Sequence, residues 1–102
     1  MTQDLKASNQ LFGAYLHQDW MDEFESDSQA VQAMIASEPP EIFIEAIREV
    51  NELLATQTSE AELAAIMTNE VGCYFDPASK GQSYREWLGS VLKQWALKQA
   101  SV

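Results

Sequence analysis

"PPEIFIEAIREVNELLA", residues 39–55, is the stretch whose reading decides the fold. Ile42, Phe43, Ala46, Ile47, Val50, Leu53 and Leu54 recur at intervals of three and four, so they share one broad face of an α-helix. In this reading Glu41, Glu45, Glu49 and Glu52 lie along a different face, as an acidic ridge. The two prolines account for where the helix begins. Both disfavour a helical residue ahead of them, while Pro40 suits the first turn of the new helix.

Similar signals extend on both sides. Upstream, "SDSQ" at 26–29 fits a capping box, with Ser26 as N-cap and Gln29 reaching back. Ala30, Val31, Met34 and Ile35 then form an apolar stripe that stops at "SEPP". Before it, Leu11, Phe12, Tyr15 and Leu16 line one side of a helix over residues 9–17. Downstream, "SEAE" at 59–62 is a second capping box, followed by Leu63, Ile66 and Met67, with Gly72 as the stop. "SYRE" at 83–86 is a third, opening a helix on which Tyr84, Leu88, Val91 and Trp95 line up. Strand signals do not recur. The expectation is an all-α fold: a compact single-domain bundle of about five short helices over residues 1–102, with 73–82 its longest connection.

A chain of 102 residues, 46% hydrophobic, buries roughly 65% of its unfolded surface without needing a disulfide or metal. Its single cysteine, Cys73, has no intramolecular partner. The N-terminal residues lack the pattern of a secretory signal, and no apolar run approaches the ~20 residues of a membrane span. A cytoplasmic location is therefore expected.

Charge narrows the partners. Sixteen acids against six bases give a net charge of −10. Twelve of those acids lie between Asp19 and Glu62 with one base, Arg48, while Lys80, Arg85, Lys93 and Lys98 fall in the last quarter. Such a field repels nucleic acid and anionic membranes, so neither is expected as a partner. It attracts basic proteins and speeds their encounter. The plainer alternative is that acidity only keeps a small protein in solution.

Residues that could carry chemistry are scarce. His17 is the only histidine, and Asp19, two positions on, points to another side of a helix. A pairing of Cys73 with His17 has no local support, and an isolated cysteine usually behaves as a small buried hydrophobe. The sequence has no second histidine, paired cysteines, calcium loop or phosphate loop. No enzyme, metal or cofactor is expected. Phe12, Phe43, Tyr84 and Trp95 read as core, whereas Trp20 and Tyr74 suit either a capped core position or an interface anchor. "YLHQDWMDEFESD" at 15–27 divides in two. Its first half packs and ties off a helix, while Asp22, Glu23, Glu25 and Asp27 form an acidic turn, which the helix dipole alone also explains.

Three blocks in order, "LFGAYLHQDW" at 11–20, "GCYFDP" at 72–77 and "SYREWL" at 83–88, resemble the immunity proteins of bacterial contact-dependent growth inhibition (CDI) systems. The resemblance spans about residues 11–95. It implies a cytosolic protein that binds and neutralises a cognate toxin C-terminal domain, often a nuclease. A nuclease presents Lys and Arg around its cleft, and an acidic helical protein can cover that cleft. The expected contacts are Asp19, Trp20, Asp22, Glu23, Glu25 and Asp27, the ridge of Glu41, Glu45 and Glu49, and Tyr74 and Asp76 on an exposed loop. In that loop Cys73 and Phe75 are expected to be buried and Asp76–Pro77 to make a turn. The competing readings are an acidic adaptor or DNA mimic bound to another basic protein, and a small hydrolase using His17 with a carboxylate.

Overall fold

The structure, a computed structural model, describes residues 5–56 and 59–100, with side chains as far as residue 97. Among the described residues six α-helices occur in order: α1 (Lys6–Tyr15), α2 (Trp20–Glu23), α3 (Asp27–Ser37), α4 (Pro40–Ala55), α5 (Glu60–Ile66) and α6 (Tyr84–Ala100). A π-helical turn, Met67–Val71, extends α5, and a 3-10 turn, Pro77–Lys80, precedes α6. Among the described residues there is no strand, so the all-α expectation holds.

Helix α4 is central, packed against α1 and α6. It starts with Pro40 in its first turn, where the missing N–H costs nothing. Phe43, Ala46, Val50 and Leu53 are buried along its inner face, the larger side chains contributing about 1.5–3 kcal/mol each. Phe43 of α4 meets Trp95 of α6, and Arg85 Nη1 donates to the Leu54 carbonyl, so the two helices run antiparallel. The π-turn after α5 rests on α1, and α3 closes the side between α1 and α6.

The capping signatures lie where the sequence puts them, with differences of detail. Ser26 Oγ accepts from the Gln29 N–H at 3.2 Å, but the Gln29 side chain takes the N–H of Glu25 rather than that of Ser26. Ser59 Oγ accepts from Glu62 N–H. At Ser83 the exchange is complete: its Oγ accepts from Glu86 N–H, and Glu86 Oε1 accepts from Ser83 N–H. Gly72 ends the π-turn in the left-handed region, at φ 79°, where other residues are strained.

Helix α1 begins three residues before the expected stretch and ends two before its close. Leu5 at its N-cap supplies no side-chain bond, so the start has no local signature. A carboxylate from α4 supplies the bonds instead. Glu49 is 2% exposed, and it accepts from Ala7 N–H (3.1 Å), Ser8 N–H (2.8 Å) and Ser8 Oγ–H (2.7 Å). Further along α1, Asn9 Nδ2 donates to the carbonyls of Glu70 and Val71, and Gly13 lets the Val71 carbonyl approach closely.

Six rings run through the interior in sequence. Phe43 meets Trp95, Trp95 meets Phe12, and Phe12 meets Trp87, at centroid distances of 5.9, 5.3 and 5.6 Å. Trp87 then meets Phe75 at 5.0 Å, and Phe75 meets Trp20 edge-on at 5.6 Å. Buried aromatic pairs of this geometry add about 0.5–1.5 kcal/mol each beyond area burial. The row stiffens the path from α4 to α2 and the loop after Gly72. Trp95 Nε1 is buried without a hydrogen-bond partner among the described residues, an opposing cost of about 1–3 kcal/mol.

Candidate functional site

The segment between α1 and α3 is shaped by backbone turns. Helix α1 closes with Leu16 N–H on the Phe12 carbonyl, and the free Leu16 carbonyl accepts from Tyr74 N–H at 2.8 Å. His17 Nδ1 accepts from Asp19 N–H, and Nε2 lies 2.7 Å from Glu23 Oε2. An imidazole whose Nδ1 accepts in this way donates to the carboxylate through Nε2. Trp20 N–H then bonds the His17 carbonyl, which starts the single turn of α2. Residues 17–19 thus tie off α1, as the sequence suggests.

The facing loop runs from Gly72 to Gly81. Its residues alternate: Cys73 and Phe75 point inward, while Tyr74 and Asp76 are exposed. Asp76 Oδ1 accepts from Ala78 N–H and caps the 3-10 turn, the turn expected at Asp76–Pro77. Two side-chain bonds, from Lys80 and to the Phe75 carbonyl, hold this loop in place, and a third fixes the Asp27 carboxylate that Lys80 meets. Lys80 Nζ lies 2.9 Å from Asp27 Oδ1, Trp87 Nε1 donates to Asp27 Oδ2 at 2.8 Å, and Tyr84 Oη donates to the Phe75 carbonyl.

The two segments meet through Leu16–Tyr74 and Trp20–Phe75, and Asp19, Asp22, Glu23, Glu25, Tyr74 and Asp76 are exposed on them. Three residues expected at the surface are instead turned inward. Trp20 is 8% exposed because its ring packs on Phe75. Asp27 is 5% exposed because it serves Trp87 and Lys80. Glu49 is buried because it caps α1, which cuts the α4 ridge short. Glu41 and Glu45 remain exposed and line a groove of about 290 Å³ with Lys6, Gln10 and Ile42, further along α1 toward its start. Arg48 sits between Glu45 and Glu52 and pairs with both.

Met21, 72% exposed and next in the chain to Trp20, is the residue of these segments that the sequence pattern does not single out. A lone methionine between tryptophan and aspartate carries no periodic signal, because α2 is only four residues long.

The chemistry open to these segments is limited. Burial pushes the Cys73 thiol up to about 12, so the reactive thiolate is not formed near neutral pH. Burial and the Glu38 carboxylate that accepts from its hydroxyl also raise Tyr15. Among the described residues no three metal-ligating side chains converge, and no helix is long and apolar enough to cross a membrane.

Comparison with curated proteins found no match. Among solved structures, a chain of the crystal structure of the CdiA-CT/CdiI complex from Y. kristensenii 33638 is similar: 26% identical, with a TM-score of 0.82, covering 89% of this chain and 97% of that one. A model of the CdiI immunity protein family matches residues 4–95, which takes in all three sequence blocks and every described helix up to Trp95. The chain belongs to the CdiI immunity protein family.

Proposed function

We propose that this protein acts in the cytosol as the immunity partner of a CDI toxin C-terminal domain, a basic nuclease, which it binds and neutralises without chemistry of its own. The observation that carries this reading is the pair of joined segments on which Asp19, Asp22, Glu23, Glu25, Tyr74 and Asp76 stand exposed. Family membership and the similarity to a chain from a CdiA-CT/CdiI complex supply the partner class. The charge supplies the recognition, since a negative surface accelerates encounter with a protein built to hold phosphate. Covering the basic cleft then excludes its polyanionic substrate.

The test is calorimetric titration into the inactivated toxin domain encoded immediately upstream, at two salt concentrations. The expected result is one-to-one binding with a Kd of roughly nanomolar order that weakens as salt rises. Reversal of two charges together, Asp22→Lys with Glu23→Lys, is expected to slow association ~10-fold at low salt and leave the fold intact. Absence of binding with both proteins folded would remove the toxin reading in favour of an acidic adaptor for another basic protein.

A further inference from the structure

Four large apolar side chains stand exposed among the described residues: Met21 at 72%, Leu97 at 70%, Ile44 at 57% and Tyr74 at 50%. Exposed hydrophobics scattered singly are ordinary and need no explanation. Their surroundings separate these four into two kinds. Ile44 shares α4 with Arg48, which bridges Glu45 and Glu52, and Leu97 lies one turn from Lys93 on α6. Met21 and Tyr74 are instead the chain neighbours of Trp20 and Phe75, whose rings meet edge-on. No lysine or arginine occurs between Lys6 and Arg48, and Lys80, the nearest base after Asp76, is bound to Asp27. The charged residues nearest Met21 and Tyr74 in the chain are therefore the exposed acids Asp19, Asp22, Glu23 and Asp76.

Their backbones are also held. Tyr74 N–H bonds the Leu16 carbonyl, while Asp22 N–H and Phe24 N–H close the turn around Met21 onto Asp19 and Trp20. Side chains presented from a fixed backbone lose less entropy on binding, and this is what an anchor requires. A thioether adapts to an irregular pocket, and a phenol combines apolar area with a hydroxyl at its tip.

We infer that Met21 and Tyr74 form the apolar anchor of the interface, fitting an apolar depression on the toxin domain that is bordered by Lys and Arg. The inference rests on the toxin-binding reading above and assigns separate tasks within it. The surrounding carboxylates govern how fast the complex forms, and the Met21–Tyr74 pair governs how long it lasts. Apolar contacts act over too short a range to steer an approach, but they must be undone before the partners part.

Stopped-flow or surface-based kinetics with the same inactivated toxin domain separates the possibilities. The double variant Met21→Ala with Tyr74→Ala is expected to dissociate ~30-fold faster, with its association rate within ~2-fold of wild type. The matched control, Ile44→Ala with Leu97→Ala, is expected to keep both wild-type rates. Circular dichroism checks that each variant is folded. A wild-type dissociation rate in the Met21–Tyr74 variant, or the acceleration appearing in the control pair instead, would overturn the anchor while leaving the toxin reading intact. Failure of the wild-type protein to bind would remove both together.

Discussion

Where α1 lies on α4, the Glu49 carboxylate is sealed from water and accepts three hydrogen bonds from residues 41 and 42 positions away in sequence. Where α2 meets the loop after Gly72, the Glu23 carboxylate is 54% exposed and pairs with the nearby His17. The same residue type thus serves opposite ends. On the flank it replaces a missing helix cap, deep in the packing of two helices. At the α2 end it adds charge to a surface and bears little on the fold. Asp27 sides with Glu49, since it is buried and joins α3, the loop and α6 through Lys80 and Trp87. An acidic chain is therefore not uniformly a chain with an acidic surface.

Substitution tests this contrast, beginning with the flank. Glu49→Ala strands Ala7 N–H, Ser8 N–H and Ser8 Oγ–H at a buried helix start, and is expected to cost about 3 kcal/mol. Urea denaturation measures this, with Glu49→Gln falling between because the amide oxygen still accepts. A wild-type midpoint for Glu49→Ala would show that α1 does not depend on its distant cap.

Asp27→Ala is expected to cost about 2 kcal/mol, since Trp87 Nε1 loses its acceptor and Lys80 its partner. Near-UV circular dichroism should register the change around Trp87, and Asp27→Asn should recover part of the loss. The smallest effect belongs to the α2 end. Glu23→Gln is expected to change stability by less than about 0.5 kcal/mol, because the pair with His17 is open to solvent. A loss comparable to that of Asp27→Ala would mean that the two regions do not differ in kind.

The parts of the fold legible in the sequence are those whose causes are local. The three serine caps, Pro40 at the start of α4 and Gly72 at the end of the π-turn each act within a few residues. Phe12, Phe43, Tyr84 and Trp95 lie in the core on which their spacing places them. Glu49 eludes such reading because the eye sorts it with Glu45 and Glu52 by charge. Its position nevertheless follows Ala46 by three and precedes Leu53 by four, so it lies within the inner stripe. That placement was a signal available in the sequence. The donors it serves were not, because Ala7 and Ser8 reach it only through the tertiary fold.

The candidate site was legible in its composition and obscure in its orientation. Asp19, Asp22, Glu23, Tyr74 and Asp76 are exposed, whereas Trp20 and Asp27 from the same short blocks are inside. In a four-residue helix and a turning loop no period exists to separate the two. Met21 escapes a reading by pattern for the same reason. Only the contact of Trp20 with Phe75 determines which of their neighbours faces water.

The way α1 is held bears on how the chain folds. Ten residues are too few for a helix to persist alone in water. Here the first turn waits for Glu49 on α4, and Asn9 waits for the carbonyls of Glu70 and Val71. Helix α1 cannot be completed until chain segments some 40 to 60 residues away have arrived. Helix α1 is thus secured only once α4 and the π-turn are in place, and its amide protons at Ala7 and Ser8 should exchange whenever α1 lifts off Glu49. During synthesis the ribosome releases this helix before α4 and the π-turn, so it must remain unfinished until they have come out after it.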